Sequence, residues 1–129
     1  MNTKARILVV DDERSMQEFL EIFFRSEGYE VATAGSVETA RLQLESDEFD
    51  VVITDMQMPG GSGLDLLHFC YDSAPEVVVI MITAFASTET AISAMKEGAY
   101  DYVTKPFKVD ELRIVVEKEI GRASCRERV

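Results

Sequence analysis

The sequence predicts an α/β fold in which five strands alternate with five helices, and two kinds of segment support this prediction. Short apolar runs alternate along the chain with longer segments whose apolar residues recur at the period of an α-helix. The short runs are almost continuously hydrophobic, which is typical of strands buried on both faces of a parallel sheet. We therefore predict strands at residues 7–10, 29–34, 51–54, 77–82 and 100–104.

Parallel strands that are joined through helices need crossover connections, and such crossovers are right-handed in almost all proteins. The alternation therefore predicts a doubly wound, three-layer (βα)5 sandwich, whose parallel five-stranded sheet has the flavodoxin-like order 2-1-3-4-5. Segment 56–62 is rich in Pro and Gly and is predicted to be a loop. Helices are predicted at residues 13–27, 36–45, 63–71, 86–96 and 109–120.

The apolar spacing also predicts which faces of the first two helices pack against the sheet. Gly28 suits the left-handed cap that ends the first helix, and Ser36 is a favourable N-cap for the second. The predicted inward side chains of the first helix are Met16, Phe19, Leu20, Phe23 and Phe24. Those of the second helix are Val37, Ala40, Leu42 and Leu44.

Length and composition predict one compact domain, which we place at residues 1–120. A chain of 129 residues that is 47% hydrophobic can bury a sizeable core, but it is too short for a comfortable second domain. The tail, residues 121–129, has no apolar period and contains three arginines. We expect this tail to be an artificial remnant or the start of a truncated linker, in preference to a functional basic tail.

The charge and the absence of targeting features limit the classes of partner. The formal net charge is -11, and because nucleic acids and anionic membranes bind cationic surfaces, we expect neither to bind this segment. No apolar stretch approaches the roughly 20 residues of a membrane span, and no signal-peptide core precedes the first strand. Cys70 and Cys125 are too few for a disulfide framework. These features predict a cytoplasmic protein, with Cys70 as a packing residue of a helix.

Four of the predicted strands end on residues that suit the handling of a phosphoryl group. Asp11 and Asp12 follow the first strand, Asp55 the third, Thr83 the fourth and Lys105 the fifth. Because the carboxyl ends of parallel strands meet at one edge of the sheet, where such folds bind ligands, we expect these side chains to share a pocket. Each residue alone is more simply a turn or surface residue. The prediction therefore depends on their combination.

Three carboxylates in one pocket predict a bound cation. Like charges disfavour one another unless a cation neutralises them, and Mg2+ is a hard cation that prefers oxygen ligands and leaves room for phosphate oxygens. A carboxylate beside such a metal can attack a phosphoryl group. Asp55, which stands alone at the end of the central strand, is best placed to do so. Lys105 and Thr83 would then stabilise the developing negative charge.

The motifs at these strand ends together resemble the receiver domain of two-component response regulators. They occur in order between residues 5 and 120, each at a strand end, and as a set they are highly specific. The matching segments are Ile-Leu-Val-Val-Asp11-Asp12-Glu13, Asp55-Met-Gln-Met-Pro59-Gly60-x-x-Gly63, Ile82-Thr83-Ala84 and Gly98-Ala-Tyr-Asp-Tyr102-Val-Thr-Lys105-Pro106-Phe107.

This resemblance implies a role for each of the acidic residues. Asp55 would be the phosphoacceptor. The Mg2+ ligands would be Asp12, Asp55 and the backbone carbonyl of Gln57, with Asp11 assisting through water.

The resemblance implies further roles at the ends of the last two strands. Thr83 and Tyr102 would form the switch pair that responds to phosphorylation. Lys105 would contact the phosphoryl oxygens.

The resemblance also implies partners and a mode of action. Receivers accept the phosphoryl group from a sensor histidine kinase, and they are regulatory domains that assist their own phosphorylation and dephosphorylation, not enzymes in the usual sense. Stretch 83–102 is similar to receivers of the NtrC class of bacterial transcriptional activators. This similarity implies control of transcription, a homodimer through residues 86–120, and contact with DNA only through an output domain that is missing here.

Two alternatives stay open. A stand-alone receiver would act by protein–protein contact and would need no DNA-binding output. A phosphatase of the haloacid dehalogenase type also combines an Asp nucleophile, a Thr, a Lys and Mg2+ on an α/β fold. That enzyme expects Asp-x-Asp after its first strand, whereas Asp11 and Asp12 are adjacent. The phosphatase is therefore the weaker alternative.

Overall fold

A parallel five-stranded sheet forms the centre of the molecule, with the strand order β2-β1-β3-β4-β5. The strands are β1 (Arg6–Val10), β2 (Glu30–Ala34), β3 (Val51–Asp55), β4 (Val78–Thr83) and β5 (Asp101–Thr104). The predicted order and the parallel pairing are confirmed. The structure, a computed structural model, describes residues 5–58, 61–73, 76–83, 96, 101–104 and 108–127.

Four helices lie within the described residues: α1 (Arg14–Ser26), α2 (Val37–Ser46), α3 (Gly63–Ser73) and a C-terminal helix (Val109–Glu127). Gly28 follows α1 with φ 98°, a left-handed conformation that favours glycine, as predicted. The Ser36 side chain accepts a hydrogen bond from the Thr39 N–H at 3.1 Å and caps α2, also as predicted. The helix predicted at 86–96 lies outside the described residues except for Lys96, which is helical.

Two apolar cores cover the two faces of the sheet, because alternate residues of each strand point to opposite faces. On one face α2 and α3 pack over Leu8, Val10, Val52, Val79 and Met81. On the other face α1 and the C-terminal helix pack over Ile7, Val9, Val51, Ile53, Val78, Ile80 and Ile82. The layers are therefore helix, sheet and helix, as predicted for a doubly wound fold.

The predicted inward faces of two helices are wrong at one position each. Leu20 is fully buried on α1, whereas Phe19, next to it, is 51% exposed. Ala40 is fully buried on α2, whereas Leu42 is 60% exposed. One residue turns a helix by about 100° and two residues by about 200°. Phe19 therefore lies at the flank of the buried stripe, and Leu42 lies on the opposite side of its helix.

Two segments differ from the predicted organisation. The predicted loop 56–62 contains a short antiparallel pair, Gln57–Met58 with Gly61–Ser62. The last helix continues to Glu127, so its backbone enters the stretch that we predicted to lie outside the pattern. The assignment of residues 121–129 to a remnant or linker stays a prediction. Among the described residues no helix is both long and apolar enough to cross a membrane.

Candidate functional site

Three carboxylates lie together at the carboxyl edge of the sheet. β1 and β3 are neighbours in parallel register, with Val10 beside Thr54, so the residues that follow each strand end side by side. Carboxylate oxygens of Asp11, Asp12 and Asp55 all lie within 4.8 Å of one another. Asp11 is buried, Asp55 is half-buried and Asp12 is exposed. The structure thus brings together the three acids that the sequence predicts.

Hydrogen bonds to neighbouring elements fix the backbone and side chain of Asp11. Its N–H donates to the carbonyl oxygen of Ala34 on β2 at 3.1 Å, which extends the ladder past the end of β1. Its Oδ1 accepts from the Glu13 N–H at 2.9 Å, and its carbonyl oxygen accepts from Gln17 Nε2 at 2.7 Å. Gln17 belongs to the first turns of α1, so this helix helps to set the position of the loop that carries the acidic pair.

The backbone around Asp55 is held by the next strand and by α3. The Asp55 carbonyl oxygen accepts from the Thr54 hydroxyl at 3.0 Å. The Met56 N–H donates to the carbonyl oxygen of Ile82 on β4 at 2.8 Å, and the Gly63 N–H donates to the Met56 carbonyl oxygen at 2.7 Å. The position of Asp55 therefore depends on β4 and α3 as well as on its own strand.

The chemistry of these donors fits a hard divalent cation. Two unit negative charges about 5 Å apart repel by about 1 kcal/mol in water and by more where burial lowers the dielectric constant. The oxygen ligands of one Mg2+ lie about 3–4 Å apart, so the three carboxylates need to approach by only about 1 Å to share an ion. Carboxylate oxygens are also the donors that this ion prefers. The cluster of Asp11, Asp12 and Asp55 can therefore hold Mg2+.

The other predicted site residues lie at neighbouring strand ends or outside the described part of the chain. Gln57 is two residues past Asp55, in the first strand of the short antiparallel pair. Asp55 pairs with Ile82, so Thr83, the last residue of β4, comes one position further along the same edge. Tyr102 lies on β5 opposite Met81 and is 38% exposed. Lys105 follows β5 and lies outside the described residues.

Three residues that support the acids are not predicted from the sequence: Gln17, Thr54 and Gly63. A single polar residue in an otherwise aliphatic strand is a weak signal, and Thr54, which is fully buried, could have been found in this way. Gln17 follows no comparable pattern, and Gly63 belongs to the motif quoted above without a role assigned to it, because both contacts depend on how separate elements pack together.

Comparison with known proteins agrees with this geometry. The model of the "Response regulator receiver domain" family matches residues 7–117. The chain belongs to this family.

The receiver domain also has similar relatives among curated proteins and solved structures. It is 41% identical over 114 residues to the response regulator protein PilR of Pseudomonas aeruginosa, an alignment that covers 88% of this chain and 26% of PilR. The NtrX structure from Brucella abortus, with ADP, superposes with a TM-score of 0.90 at 34% identity and covers 96% of this chain and 29% of NtrX.

A solved receiver of similar size also matches. The beryllofluoride-activated NtrC4 receiver domain dimer superposes with a TM-score of 0.86 at 35% identity and covers 92% of this chain and 98% of that one. These relatives include regulators of the NtrC class, which confirms the predicted resemblance. The chain spans about a quarter of the length of the first curated relatives that it matches, 26% of PilR and 28% of the AtoC protein of Escherichia coli.

Proposed function

We propose that this receiver domain is a phosphorylation-dependent switch that accepts a phosphoryl group on Asp55 beside a bound Mg2+. The observation that carries the proposal is the cluster of three carboxylates within 4.8 Å at the end of the central strand. A merely structural acid at a strand end does not need two further acids beside it. The match to the receiver family over residues 7–117 supports the same function.

Each acid in the cluster has its own role in this proposal. Asp12, Asp55 and the Gln57 carbonyl hold the metal, and Asp11 assists through water. When bound, Mg2+ neutralises the negative charge of the acids and of the transferring phosphoryl group. Asp11 is suited to a positioning role because its backbone and Oδ1 are already fixed by hydrogen bonds. The exposed Asp12 is open to an arriving ion.

The transfer itself is a nucleophilic substitution at phosphorus. An oxygen of the Asp55 carboxylate forms the new O–P bond, while the bond between phosphorus and the nitrogen of a phosphohistidine in the kinase breaks. Lys105 and the Thr83 hydroxyl stabilise the charge on the phosphoryl oxygens. The reaction leaves an aspartyl phosphate on the receiver, which makes the domain a regulatory acceptor and not a catalyst of net turnover.

The readout in this proposal is a change between two conformations of the same domain. A phosphoryl group can bias such an equilibrium only if a residue contacts it differently in the two states, and Thr83 with Tyr102 supplies that contact. The consequence is an altered homodimer through residues 86–120 and control of transcription through a separate output domain. The existence of a dimeric receiver in NtrC4 supports this mode. We place the exchange with the kinase in the cytoplasm.

The direct test is labelling with acetyl phosphate and Mg2+, followed by intact-mass measurement and peptide mapping. The wild-type chain should gain one alkali-labile phosphoryl group at Asp55, and EDTA should prevent the reaction. Asp55→Asn should gain none. Asp50→Asn is the matched control, because Asp50 lies at the other end of the same strand, and it should be labelled like the wild type.

Two results would contradict the proposal. Labelling of Asp55→Asn at the wild-type level would show that another residue is the acceptor. Rapid release of phosphate over many turnovers, with no labelled protein at any time, would favour the phosphatase alternative.

A further inference from the structure

Gly63, the first residue of α3, lies close against the backbone at the end of the phosphoacceptor strand. A Cβ atom at position 63 would lie 2.5 Å from the Asp55 carbonyl oxygen, 3.1 Å from the Met56 Cα and 2.9 Å from the Met81 Cε. The Met81 methyl is the end of a flexible side chain and can move away. The two contacts with main-chain atoms cannot be relieved without a shift of the backbone.

The requirement for glycine at this position is steric. Among the described glycines only Gly28 has a positive φ, so the backbone of Gly63 is in a conformation that any residue can adopt. Inside a helix, alanine is favoured over glycine. Helix propensity alone therefore predicts that alanine at position 63 does not destabilise the protein. The contact with the Asp55 carbonyl predicts the opposite.

A shift of this backbone would act directly on the acidic cluster. The acidic pair is fixed from the other side, since Asp11 is held by Ala34, Glu13 and Gln17. If α3 pushes the Asp55 carbonyl away, the Asp55 carboxylate moves relative to an acidic pair that stays in place. The Gln57 carbonyl lies on the same stretch of backbone, two residues further along.

We propose that Gly63 is a positioning residue of the phosphoacceptor site, and that its missing side chain allows α3 to seat the Asp55 backbone at the distance from Asp11 and Asp12 that metal binding needs. This inference rests on the proposed function. It adds a residue that touches neither metal nor phosphoryl group and acts only through the main chain of Asp55.

The experiment compares Gly63→Ala with Gly35→Ala. Gly35 is a suitable control because a Cβ there would meet only Gln17 Nε2, at an ordinary contact distance of 3.4 Å. Mg2+ affinity is measured by calorimetry, and the rate of labelling by acetyl phosphate is measured at saturating Mg2+. We expect Gly63→Ala to lose about tenfold or more in both quantities, since displacements near 1 Å at a reacting group have effects up to about 100-fold. Gly35→Ala should match the wild type in both.

The outcomes separate this inference from the proposed function. Failure of the wild type to be labelled would contradict the proposed function, whereas this inference depends on the ratio of Mg2+ affinities between variant and wild type. The inference would be overturned if circular dichroism shows that Gly63→Ala is folded and calorimetry shows that it binds Mg2+ as tightly as Gly35→Ala. A fall in melting temperature with unchanged affinity would show a purely structural glycine and would overturn it as well.

A second variant covers the case in which Gly63→Ala does not fold. In Gly63→Ala/Met81→Leu the Met81 Cε is gone and core volume is nearly kept, a change that cores tolerate well. The contact with the Asp55 carbonyl remains. The inference predicts that this double variant folds and still binds Mg2+ about tenfold more weakly. Recovery of wild-type affinity would show that crowding against Met81 is the whole effect.

Discussion

The two ends of β3 carry acidic residues in opposite settings. At the amino end, Asp50 Oδ2 accepts from the Arg6 N–H at 2.9 Å, and the Arg6 guanidinium lies 3.9 Å from the Asp47 carboxylate. The same guanidinium donates to the Glu48 carbonyl oxygen at 3.2 Å. At the carboxyl end, Asp55 has two further carboxylates within 4.8 Å. At the amino end the acids therefore contact a cation and a backbone donor, whereas at the carboxyl end three acids lie together.

This difference is the one expected between a structural acid and the phosphoacceptor site that we propose. An acid that contacts a cation or a backbone donor stabilises the fold by a small amount, typically about 1 kcal/mol for such a hydrogen bond. Acids that are gathered in one place repel one another, and the fold tolerates this cost where a ligand relieves it. The groups that surround an acid are thus more informative about its role than its position at a strand end.

The largest expected effect comes from removing one acid at each end. Asp12→Ala should weaken Mg2+ binding at least tenfold, because Mg2+ tolerates little distortion of its ligand set, and phosphorylation should fall with it. Asp50→Ala should bind Mg2+ like the wild type. Calorimetry with Mg2+ measures both.

Urea unfolding gives the second half of this comparison. Asp50→Ala should lose about 0.5–1 kcal/mol of stability with the hydrogen bond from Arg6, whereas Asp12→Ala should be as stable as the wild type or more so. Equal Mg2+ affinity of Asp12→Ala and wild type would remove the distinction between the two ends.

A smaller effect is expected from the glutamines that bind backbone carbonyls. Gln17 Nε2 donates to the Asp11 carbonyl and Gln43 Nε2 donates to the Thr33 carbonyl, each at 2.7 Å. Replacing either with Leu should cost about 1 kcal/mol of stability. Only Gln17→Leu should also weaken Mg2+ binding, by about three- to tenfold, because Gln17 contacts Asp11 itself, whereas Gln43 contacts Thr33, which reaches the acids only through the neighbouring Ala34. Comparable Mg2+ affinities in the two variants would show that the support of Asp11 by α1 is irrelevant to the site.

A last effect, which appears only at alkaline pH, lies in the core between the two ends. Burial raises the pKa of the Cys70 thiol from 9.0 to about 12. Below pH 9 the thiol is neutral in both states; above it the unfolded chain ionises first, so folding stability falls as the pH rises from 9 towards 12. One such group costs about 1.4 kcal/mol at pH 10. Cys70→Ala lacks this thiol. Under reducing conditions, its free energy of unfolding should therefore fall between pH 7 and pH 10 by about 1.4 kcal/mol less than that of the wild type. Parallel curves for the two proteins would show that Cys70 does not contribute to the pH dependence.

The sequence by itself determined the strands, their order and the acids at their ends. Continuous runs such as that at Val51–Asp55 identify buried parallel strands, because burial on both faces removes the alternation of polar residues. The strand order is predicted as the flavodoxin-like arrangement of alternating strands and helices with right-handed crossovers. The acids are identified directly in the sequence after each run. Thr83 and Lys105 are likewise read at strand ends, and family resemblance adds Gln57 and Tyr102. The roles of all four stay predictions.

Only the tertiary structure decided which residues support the acids and which apolar side chains are exposed to solvent. Phe19 and Leu42 belong to apolar patterns and are nevertheless exposed, since the width of a buried stripe depends on how a helix is seated on the sheet. The Gln17–Asp11 hydrogen bond and the approach of Gly63 to Asp55 join residues from different elements. A periodic pattern describes each element separately, whereas these contacts depend on the distances between packed elements.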